Sequence, residues 1–383
     1  MSQTTPPPAP TAPVPATGSP GATATAAAGE PERTVTSPLF FAHERLDGQT
    51  CALGLATGTR MRSLSARAFQ LLQAHLAPRT TAQSEAAGFS RAEREQALAA
   101  GLLVDADAPT TTDMFRWEDS RWSRAAYLLY SQQDLPYTEP VDGKTELSTL
   151  SDFRREQIAG FQSEAAYPER FRVDPVAEYH LPVPEQPITY SLDAMLARRS
   201  VRKFAATGVD TTTLGALLHH ATANVRMAED SKAGNDPYYL LNSFYTWLHL
   251  YVVVQGVEGV PRGVYQYDFA RNSLLATGAQ PTDEEIASVI QGQNWIGGGG
   301  ISVFVTVQWD RYQWLYRHSR AYLNLLIQTG EFAQELLQAG YQLGLTGWLT
   351  PAVAEGRAAS LLGLDRTGAD ADAIYYLKLG YAK

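Results

Sequence analysis

The sequence contains a single cysteine, Cys51, among its 383 residues. No intrachain disulfide can therefore form, and neither a cysteine-ligated zinc site nor an iron–sulfur cluster is possible. Electron chemistry in this chain must depend on a bound organic cofactor, and we predict that no metal is bound. The cysteine usage fits a reducing compartment, so we expect the protein to be cytoplasmic.

The chain also lacks long apolar runs and an excess of basic residues. Its purely apolar runs extend over only a handful of residues, which is too short to span a membrane. The 31 Lys and Arg residues against 40 Asp and Glu residues give a net charge of −9, without the basic face that nucleic-acid binding requires. We therefore expect neither a membrane nor nucleic acid as a partner.

Charged side chains are absent from the first 28 residues, of which 23 are Ala, Pro, Thr or Gly. Such a segment cannot bury enough apolar surface to offset the entropy lost on ordering. We predict a disordered tail over residues 1–31. It has neither the basic start nor the apolar core of a signal peptide.

Two further segments are predicted ahead of the main domain. Residues 36–107 combine two short strands around an Asp-Gly turn, a helix over 65–76, a second helix with a capping box at Ser90, and a short apolar strand. This order is typical of a winged-helix-like module, which packs structurally, docks a peptide or binds DNA; the lack of basic charge makes DNA the least favoured. Residues 108–185 hold 14 acidic and 8 basic residues and predict an acidic, partly helical connector that ends at a domain boundary near 185.

Residues 186–383 predict an α+β domain. Runs of β-branched residues at 248–255 and 301–307 indicate strands, a hairpin lies between them, and a last strand is expected at 374–379. A long helix is predicted over about 319–343. Its apolar stripe is too wide for one exposed helix, which favours burial on several sides, as in a homodimer.

A cationic segment begins this domain: Arg198-Arg199-Ser200-Val201-Arg202-Lys203 places four cations around a serine within six residues. Guanidinium groups offer planar, paired donors and serine adds a hydroxyl, which together suit a phosphate and a flat ring system. The same residues are also typical of a solvated basic helix end that the helix dipole favours. Spacing alone does not separate these two interpretations.

The segment ARRSVRKF at 197–204 resembles the FMN-binding signature that opens the nitroreductase fold. Three further segments resemble the SagB-type branch in the same order: GVYQYD at 263–268, GEFAQ at 330–334 and the Gly-Leu pair at 344–345. The resemblance covers about 186–383 and implies a nitroreductase-like α+β domain that binds FMN. The branch contains azoline dehydrogenases, which oxidise thiazolines and oxazolines of ribosomally made peptides to thiazoles and oxazoles.

Site residues follow from this resemblance. The positions expected to hold the flavin phosphate, ribityl chain and pyrimidine edge are Arg198, Arg199, Ser200 and Arg202. The family has a Pro-Ser pair that reaches flavin across a dimer interface, and the corresponding residues here are Asn242 and Ser243, so the proline is absent. Backbone amides that face the flavin ring correspond to Gly347, Trp348, Leu349 and Thr350. Trp348 is equally typical of a core residue.

The catalytic position departs from the family pattern. The branch often carries a Lys-Tyr pair just before its central helix, and the corresponding residues here are Leu315-Tyr316. Leucine cannot act as a general base, so the resemblance leaves Tyr316 as the candidate, either alone or helped by Tyr312, Arg317 or His318.

Together these features predict an FMN-dependent azoline dehydrogenase that is a homodimer and acts on a peptide substrate. The module at 36–107 and the acidic segment are expected to dock a leader peptide or a cyclodehydratase partner. Two alternatives stay open: an NAD(P)H-dependent nitro or quinone reductase, and a non-catalytic flavin-fold scaffold of a peptide-modifying complex. The His219-His220 pair and the four glycines at 297–300 favour neither a metal nor a dinucleotide site, because adjacent helical residues diverge and the glycine spacing is wrong.

Overall fold

The computed structural model describes residues 32–37, 40–44, 51–55, 62–120, 126, 147–233, 245–317, 320–364 and 372–383. The predicted tail over 1–31 lies outside these residues. The chain divides into two compact units, one made of residues 1–54 and 61–128, and the other of residues 55–60 and 129–383.

Among the described residues of the first unit are two small sheets and the four helices named below. One sheet has the strand order β5-β1-β6 and the other β2-β3-β4. The strands are β1 (Arg33–Thr36), β2 (Phe40–Glu44), β3 (Cys51–Leu55), β4 (Arg62–Leu64), β5 (Arg79–Thr80) and β6 (Leu103–Asp105). The helices are α1 (Ala66–Ala74), α2 (Thr81–Ala86), α3 (Arg91–Ala99) and α4 (Pro109–Asp119).

Local signals in the sequence explain these helices. Ser65 caps α1, and Ser90 forms the predicted capping box with Glu93 at the start of α3. The two helices bury a small core of Leu71, Leu72, Phe89, Ala97 and Leu103. The elements predicted for residues 36–107 are thus found where described, while the winged-helix-like assignment stays a prediction.

The second unit is built on one seven-stranded sheet, in which every adjacent pair is antiparallel. Its order is β12-β13-β11-β8-β9-β10-β7. The strands are β7 (Ala177–His180), β8 (Leu248–Gly256), β9 (Gly263–Asp268), β10 (Ser273–Ala276), β11 (Gly300–Val307), β12 (Thr346–Thr350) and β13 (Asp372–Gly380). The helices are α5 (Leu147–Glu164), α6 (Leu192–Ala197), α7 (Thr211–Ala221), α8 (Ala223–Ala233), α9 (Asp283–Val289), α10 (Trp309–Leu315), α11 (Ala321–Gln342) and α12 (Glu355–Leu362).

Helices cover both faces of this sheet. Alternate residues of β8 enter two separate cores: Val252 and Val254 join the larger one with α7 and α11, whereas Tyr251 and Val253 join the other with α9 and α12. Both faces are therefore buried, which explains why β8 and β11 are almost uniformly apolar in sequence. The predicted α+β class is confirmed.

The segment predicted as a connector contributes to the second unit. Within it, β7 pairs antiparallel with β10, with Tyr179 opposite Leu274. Ile158 of α5 is 2% exposed and joins the larger core. Residue 185, where we expected a domain boundary, therefore lies inside the second unit. Local sequence patterns do not show this, because β7 joins the sheet by pairing with β10, which is distant in the sequence.

Candidate functional site

The cationic segment lies between β12 and the end of the chain. Ser200 forms a parallel bridge with Gly347 at the start of β12, and Phe204 forms an antiparallel bridge with Ala382. A Cβ atom on Gly347 would lie 2.3 Å from the carbonyl oxygen of Lys378, so only glycine allows this close approach. The structure thus brings the two predicted cofactor segments together.

The same segment is fixed to the last turn of the long helix α11. The backbone N–H of Arg199 donates to the hydroxyl of Tyr341 at 2.8 Å, and this hydroxyl donates back to the Arg199 carbonyl at 3.0 Å. The backbone N–H of Ser191, which caps α6, donates to Gln342 Oε1 at 3.1 Å. The cationic side chains therefore lie at the carboxyl end of α11.

The side chains of the cationic segment face solvent with little opposing charge. Arg199, Ser200 and Arg202 are exposed and Arg198 is half-buried. The guanidinium carbon of Arg202 lies 5.4 Å from the ring centroid of Trp295. Within the described part of the chain, no carboxylate forms an ion pair with these arginines. The Arg199 guanidinium donates to the backbone carbonyls of Leu196 and Arg198, at 2.9 and 2.8 Å, but meets no acidic partner. Cations without an acidic partner fit a phosphate group.

Trp348 is a core residue at the edge of this site. It is 2% exposed and packs against Trp295 and Tyr376, with ring centroids 5.8 and 5.4 Å away. Its indole nitrogen is buried and finds no acceptor among the described residues. A buried donor without an acceptor is the kind of group that a bound cofactor with acceptor atoms can satisfy. Its neighbour Leu349 is half-buried and Thr350 is buried.

The candidate catalytic tyrosines form an aromatic cluster at the other end of α11. Tyr312 is 2% exposed, and its hydroxyl donates to the carbonyl of Ala321 at 2.7 Å. The ring of the half-buried Tyr316 lies 4.8 Å from that of Tyr312 and 5.6 Å from that of Trp247. Leu315, which stands where the sequence resemblance implies a lysine, is 2% exposed and packs in the core.

Arg317 next to this cluster is held by other contacts. It forms an ion pair with Glu164, and its guanidinium carbon lies 3.7 Å from the ring centroid of Phe161. A guanidinium is already protonated, so Arg317 cannot act as a general base, and these contacts hold it against Glu164 and Phe161. The remaining predicted site residues, Asn242, Ser243 and His318, lie outside the described residues.

Within one chain, the arginines and the tyrosines are far apart. Helix α11 has 22 residues, so its ends are separated by roughly 30 Å at 1.5 Å per residue. Arg199 contacts the last turn, whereas Tyr312 contacts the first residue. One chain therefore does not place both predicted groups at one site.

A cavity of about 540 Å³ lies along α11 between the two ends. Gln334 and Glu335 line it, together with Tyr190 and His220. Burial raises the pKa of Glu335, and burial with Glu335 nearby raises the pKa of Tyr245 to about 12. Sequence reasoning missed Glu335, although an acidic residue next to an apolar stripe was a visible signal.

A second polar cavity, of about 500 Å³, is bordered by Arg170 and Glu229. Glu229 Oε1 lies 3.3 Å from Arg170 Nε and 3.1 Å from Nη2 of Arg311, which is fully buried. Burial, followed by repulsion from Arg311, lowers the pKa of Arg170 to about 10. The Glu229 carboxylate thus forms ion pairs with two guanidinium groups.

Replacement of this carboxylate should destabilise the second unit strongly. We expect Glu229→Gln to lower the free energy of unfolding by about 3 kcal/mol, because it leaves the buried Arg311 and the half-buried Arg170 without their counter-charge. Urea unfolding measures the change. The matched control is Glu258→Gln, which alters an exposed glutamate in a turn. Equal stabilities of the two variants would contradict the expectation.

The described residues offer neither a metal-binding cluster nor a membrane-spanning helix. Among the described residues, no group of three or more His, Cys, Asp or Glu side chains could hold a metal ion. No helix in the described ranges is long and apolar enough to cross a membrane.

The chain is similar to one curated protein and, at lower identity, to solved structures. No protein-family model matches the chain. The chain is 25% identical over 251 residues to the trifolitoxin operon protein TfxC of Rhizobium leguminosarum bv. trifolii. The matched region covers 62% of this chain and 67% of TfxC. A structure described as a nitroreductase, from Anabaena variabilis, matches at 23% identity with a TM-score of 0.44, over 54% of this chain and 42% of that one. A chain of the E. coli microcin synthetase McbBCD complex with truncated pro-MccB17 bound matches at 15% identity with a TM-score of 0.38, over 63% of this chain and 100% of that one.

Proposed function

We propose that this protein is an FMN-dependent dehydrogenase that oxidises azoline rings of a ribosomally made peptide to azoles. The observation that carries the proposal is the cationic segment, which is open to solvent, has no acidic partner in the described chain and adjoins Trp348. Similarity to a trifolitoxin operon protein supports a role in peptide modification. We propose cytoplasmic action, with the first unit docking a leader peptide or a cyclodehydratase.

The proposed site residues have two functions, cofactor binding and proton removal. Arg198, Arg199, Ser200 and Arg202 bind the phosphate and orient the cofactor. FMN, when bound, supplies the acceptor for a hydride from the azoline ring. Tyr316 removes the proton from the adjacent Cα, so the ring loses one proton and one hydride and becomes aromatic.

A homodimer completes this site. Because Tyr316 and the arginines lie at opposite ends of α11, the tyrosine that acts at one cofactor is that of a second copy. The proposed contact between the two copies is formed by α6 and α11, where large apolar residues are 40–69% exposed to solvent. They are Leu192, Met195, Leu196, Tyr322, Leu326 and Ile327. Paired burial removes this apolar surface from water.

The proposal is tested on purified full-length protein. We expect a yellow protein, and we expect a synthetic peptide with one thiazoline to lose two hydrogen atoms by mass spectrometry in the presence of oxygen. Tyr316→Phe should abolish this loss while the bound flavin stays. A yellow protein whose Tyr316→Phe variant oxidises the peptide at the wild-type rate would overturn the assignment of the base.

Leu315 favours one alternative. A buried leucine in place of the family's lysine suits a nicotinamide-driven reductase, which needs no base at this position. Rapid bleaching of the flavin by NADPH under argon, followed by reoxidation with a nitroaromatic compound, would support this alternative. A protein that stays colourless after incubation with FMN would support a non-catalytic scaffold.

Removal of one arginine should weaken flavin binding. We expect Arg202→Ala to raise the Kd for FMN roughly 10- to 100-fold, because a charge-assisted hydrogen bond to phosphate contributes about 1.5–3 kcal/mol. Quenching of FMN fluorescence on titration into apoprotein measures it. Arg357→Ala, at an exposed arginine on α12, is the control and should leave the Kd unchanged. An unchanged Kd for Arg202→Ala would place the phosphate elsewhere.

A further inference from the structure

Lys378 is a buried lysine of the seven-stranded sheet, on the strand next to the edge strand β12. It lies in β13 and is 0% exposed. Its ammonium nitrogen donates to Gln255 Oε1 at 2.7 Å and to the carbonyl oxygen of Gly299 at 3.1 Å. No described carboxylate lies within ion-pair distance of it. Lysine is almost never fully buried without an ionic partner, so this arrangement calls for a specific role.

Lys378 and Gln255 hold two ends of one short segment. The side-chain amide of Gln255 donates to the carbonyl of Ile296 at 3.3 Å and to Asp283 Oδ1 at 2.8 Å. The carbonyls of Ile296 and Gly299 are therefore bound by neighbouring side chains. We call residues 296–300, which include the four glycines, the glycine segment.

The glycine segment packs backbone against backbone with the residues that follow the cationic segment. The N–H of Gly299 donates to the carbonyl of Ala205 at 2.7 Å. A Cβ atom on Gly298 would lie 2.7 Å from the Phe204 carbonyl oxygen, and one on Gly299 would lie 2.3 Å from that of Thr207. No other residue type fits at either position. A shift of the glycine segment would therefore move residues 204–207.

Two side-chain contacts extend this connection to the proposed cofactor site. Trp295, directly before the glycine segment, lies beneath the guanidinium group of Arg202 at 5.4 Å. The ring centroid of Phe204 lies 5.4 Å from the nitrogen of Lys378. Arg202 is thus held between a ring and a backbone whose positions both depend on the glycine segment.

We propose that Lys378 is a positioning residue for the phosphate-binding end of the cofactor site: through Gly299 and Gln255 it fixes the glycine segment and, with it, Arg202. This inference rests on the proposed binding of FMN. Lys378 touches neither cofactor nor substrate in this scheme. It acts by keeping Arg202 in the arrangement that meets the phosphate, so that less ordering is required on binding.

A double-mutant cycle tests the proposal. Lys378→Met keeps the length of the side chain and removes both hydrogen bonds. We expect it to raise the Kd for FMN about tenfold, the usual effect of losing a polar contact. Because Lys378 acts through Arg202, the double variant with Arg202→Ala should bind no more than about twofold more weakly than Arg202→Ala alone. Effects that multiply, or an unchanged Kd for Lys378→Met, would overturn the proposal.

A second variant keeps the proposal testable if Lys378→Met fails to fold, and a second measurement keeps it testable if the protein binds no FMN. Gln255→Leu removes the other half of the contact at a half-buried position and should give the same non-additive loss. Amide hydrogen exchange, measured without FMN, should be faster in residues 202–207 and in the glycine segment for either variant. If the wild type binds no FMN, the proposed function fails; if exchange is also unchanged, the positioning role fails independently.

Discussion

Raising the pH from about 7 to about 9.5 should stabilise the wild-type protein by on the order of 3 kcal/mol, and Lys378→Met should abolish this gain. Burial lowers the pKa of Lys378 from 10.5 to about 7. Asp283 opposes this shift and the cation of Arg262 adds to it; these charged groups face the lysine from α9 and from the turn between β8 and β9.

The direction follows from proton binding in the two states. Between pH 7 and 10.5 the unfolded chain keeps the proton on Lys378, while the folded protein has released it. The unfolded state then binds more protons, so the free energy of unfolding rises with pH. Below pH 7 both states are protonated, and the cost of the buried cation is present in full.

Other buried groups define the useful pH window. Burial lowers the pKa of His249 well below its usual value, so its contribution to the pH dependence lies on the acid side of this range. Burial raises the pKa of Tyr376, so the folded state loses stability above about pH 10, where tyrosines of the unfolded chain ionise. Lys378 therefore dominates the change between pH 7 and 9.5, and Arg170, whose pKa is lowered to about 10, adds a smaller gain in the same direction near pH 9.5.

Chemical unfolding at pH 7, 8 and 9.5 measures the gain. Lys383→Met changes an exposed lysine at the last position and should keep the wild-type slope. A stability of Lys378→Met that rises with pH as steeply as the wild type would show that another group carries the linkage.

Local and periodic signals predicted most elements of the second unit. Asp210 caps α7, and the apolar residues Leu214, Leu217 and Leu218, which recur at helical spacing, are fully buried. The strands expected at 248–255 and 301–307, the hairpin between them and the long helix were found within a few residues of the expected positions. These features depend on residues close together in the sequence, where cap chemistry and side-chain periodicity act.

Features set by distant contacts could not be predicted. The edge position of β7 depends on pairing with β10, almost a hundred residues later. The burial of Lys378 depends on Gln255, Gly299 and Phe204, which surround its side chain and are distant in the sequence, although a lysine within the apolar run IYYLKL was a signal. The order of the motifs likewise predicted that Arg202 and Tyr316 belong to one domain. It did not indicate that the length of α11 separates these two residues.

This separation makes the proposed dimer a requirement for the site. Leu326 is 40% exposed and Ile327 is 60% exposed on α11. They lie in the half of the helix near Tyr316, whereas Arg199 contacts the opposite end. If two α11 helices pair in opposite directions, Tyr316 of one copy approaches the arginines of the other, and each exposed apolar residue is covered.

Two charges introduced on this surface should therefore separate the copies and weaken flavin binding together. We expect Leu326→Glu with Ile327→Glu to turn a dimer into a monomer at micromolar concentration, because burying an unpaired carboxylate costs several kcal/mol. Light scattering gives the mass, and the Kd for FMN should rise at least about tenfold even though every arginine is retained. Leu76→Glu, at an exposed leucine of the first unit, is the matched control and should change neither quantity. A monomeric double variant that binds FMN as tightly as the wild type would show that each chain forms its cofactor site alone.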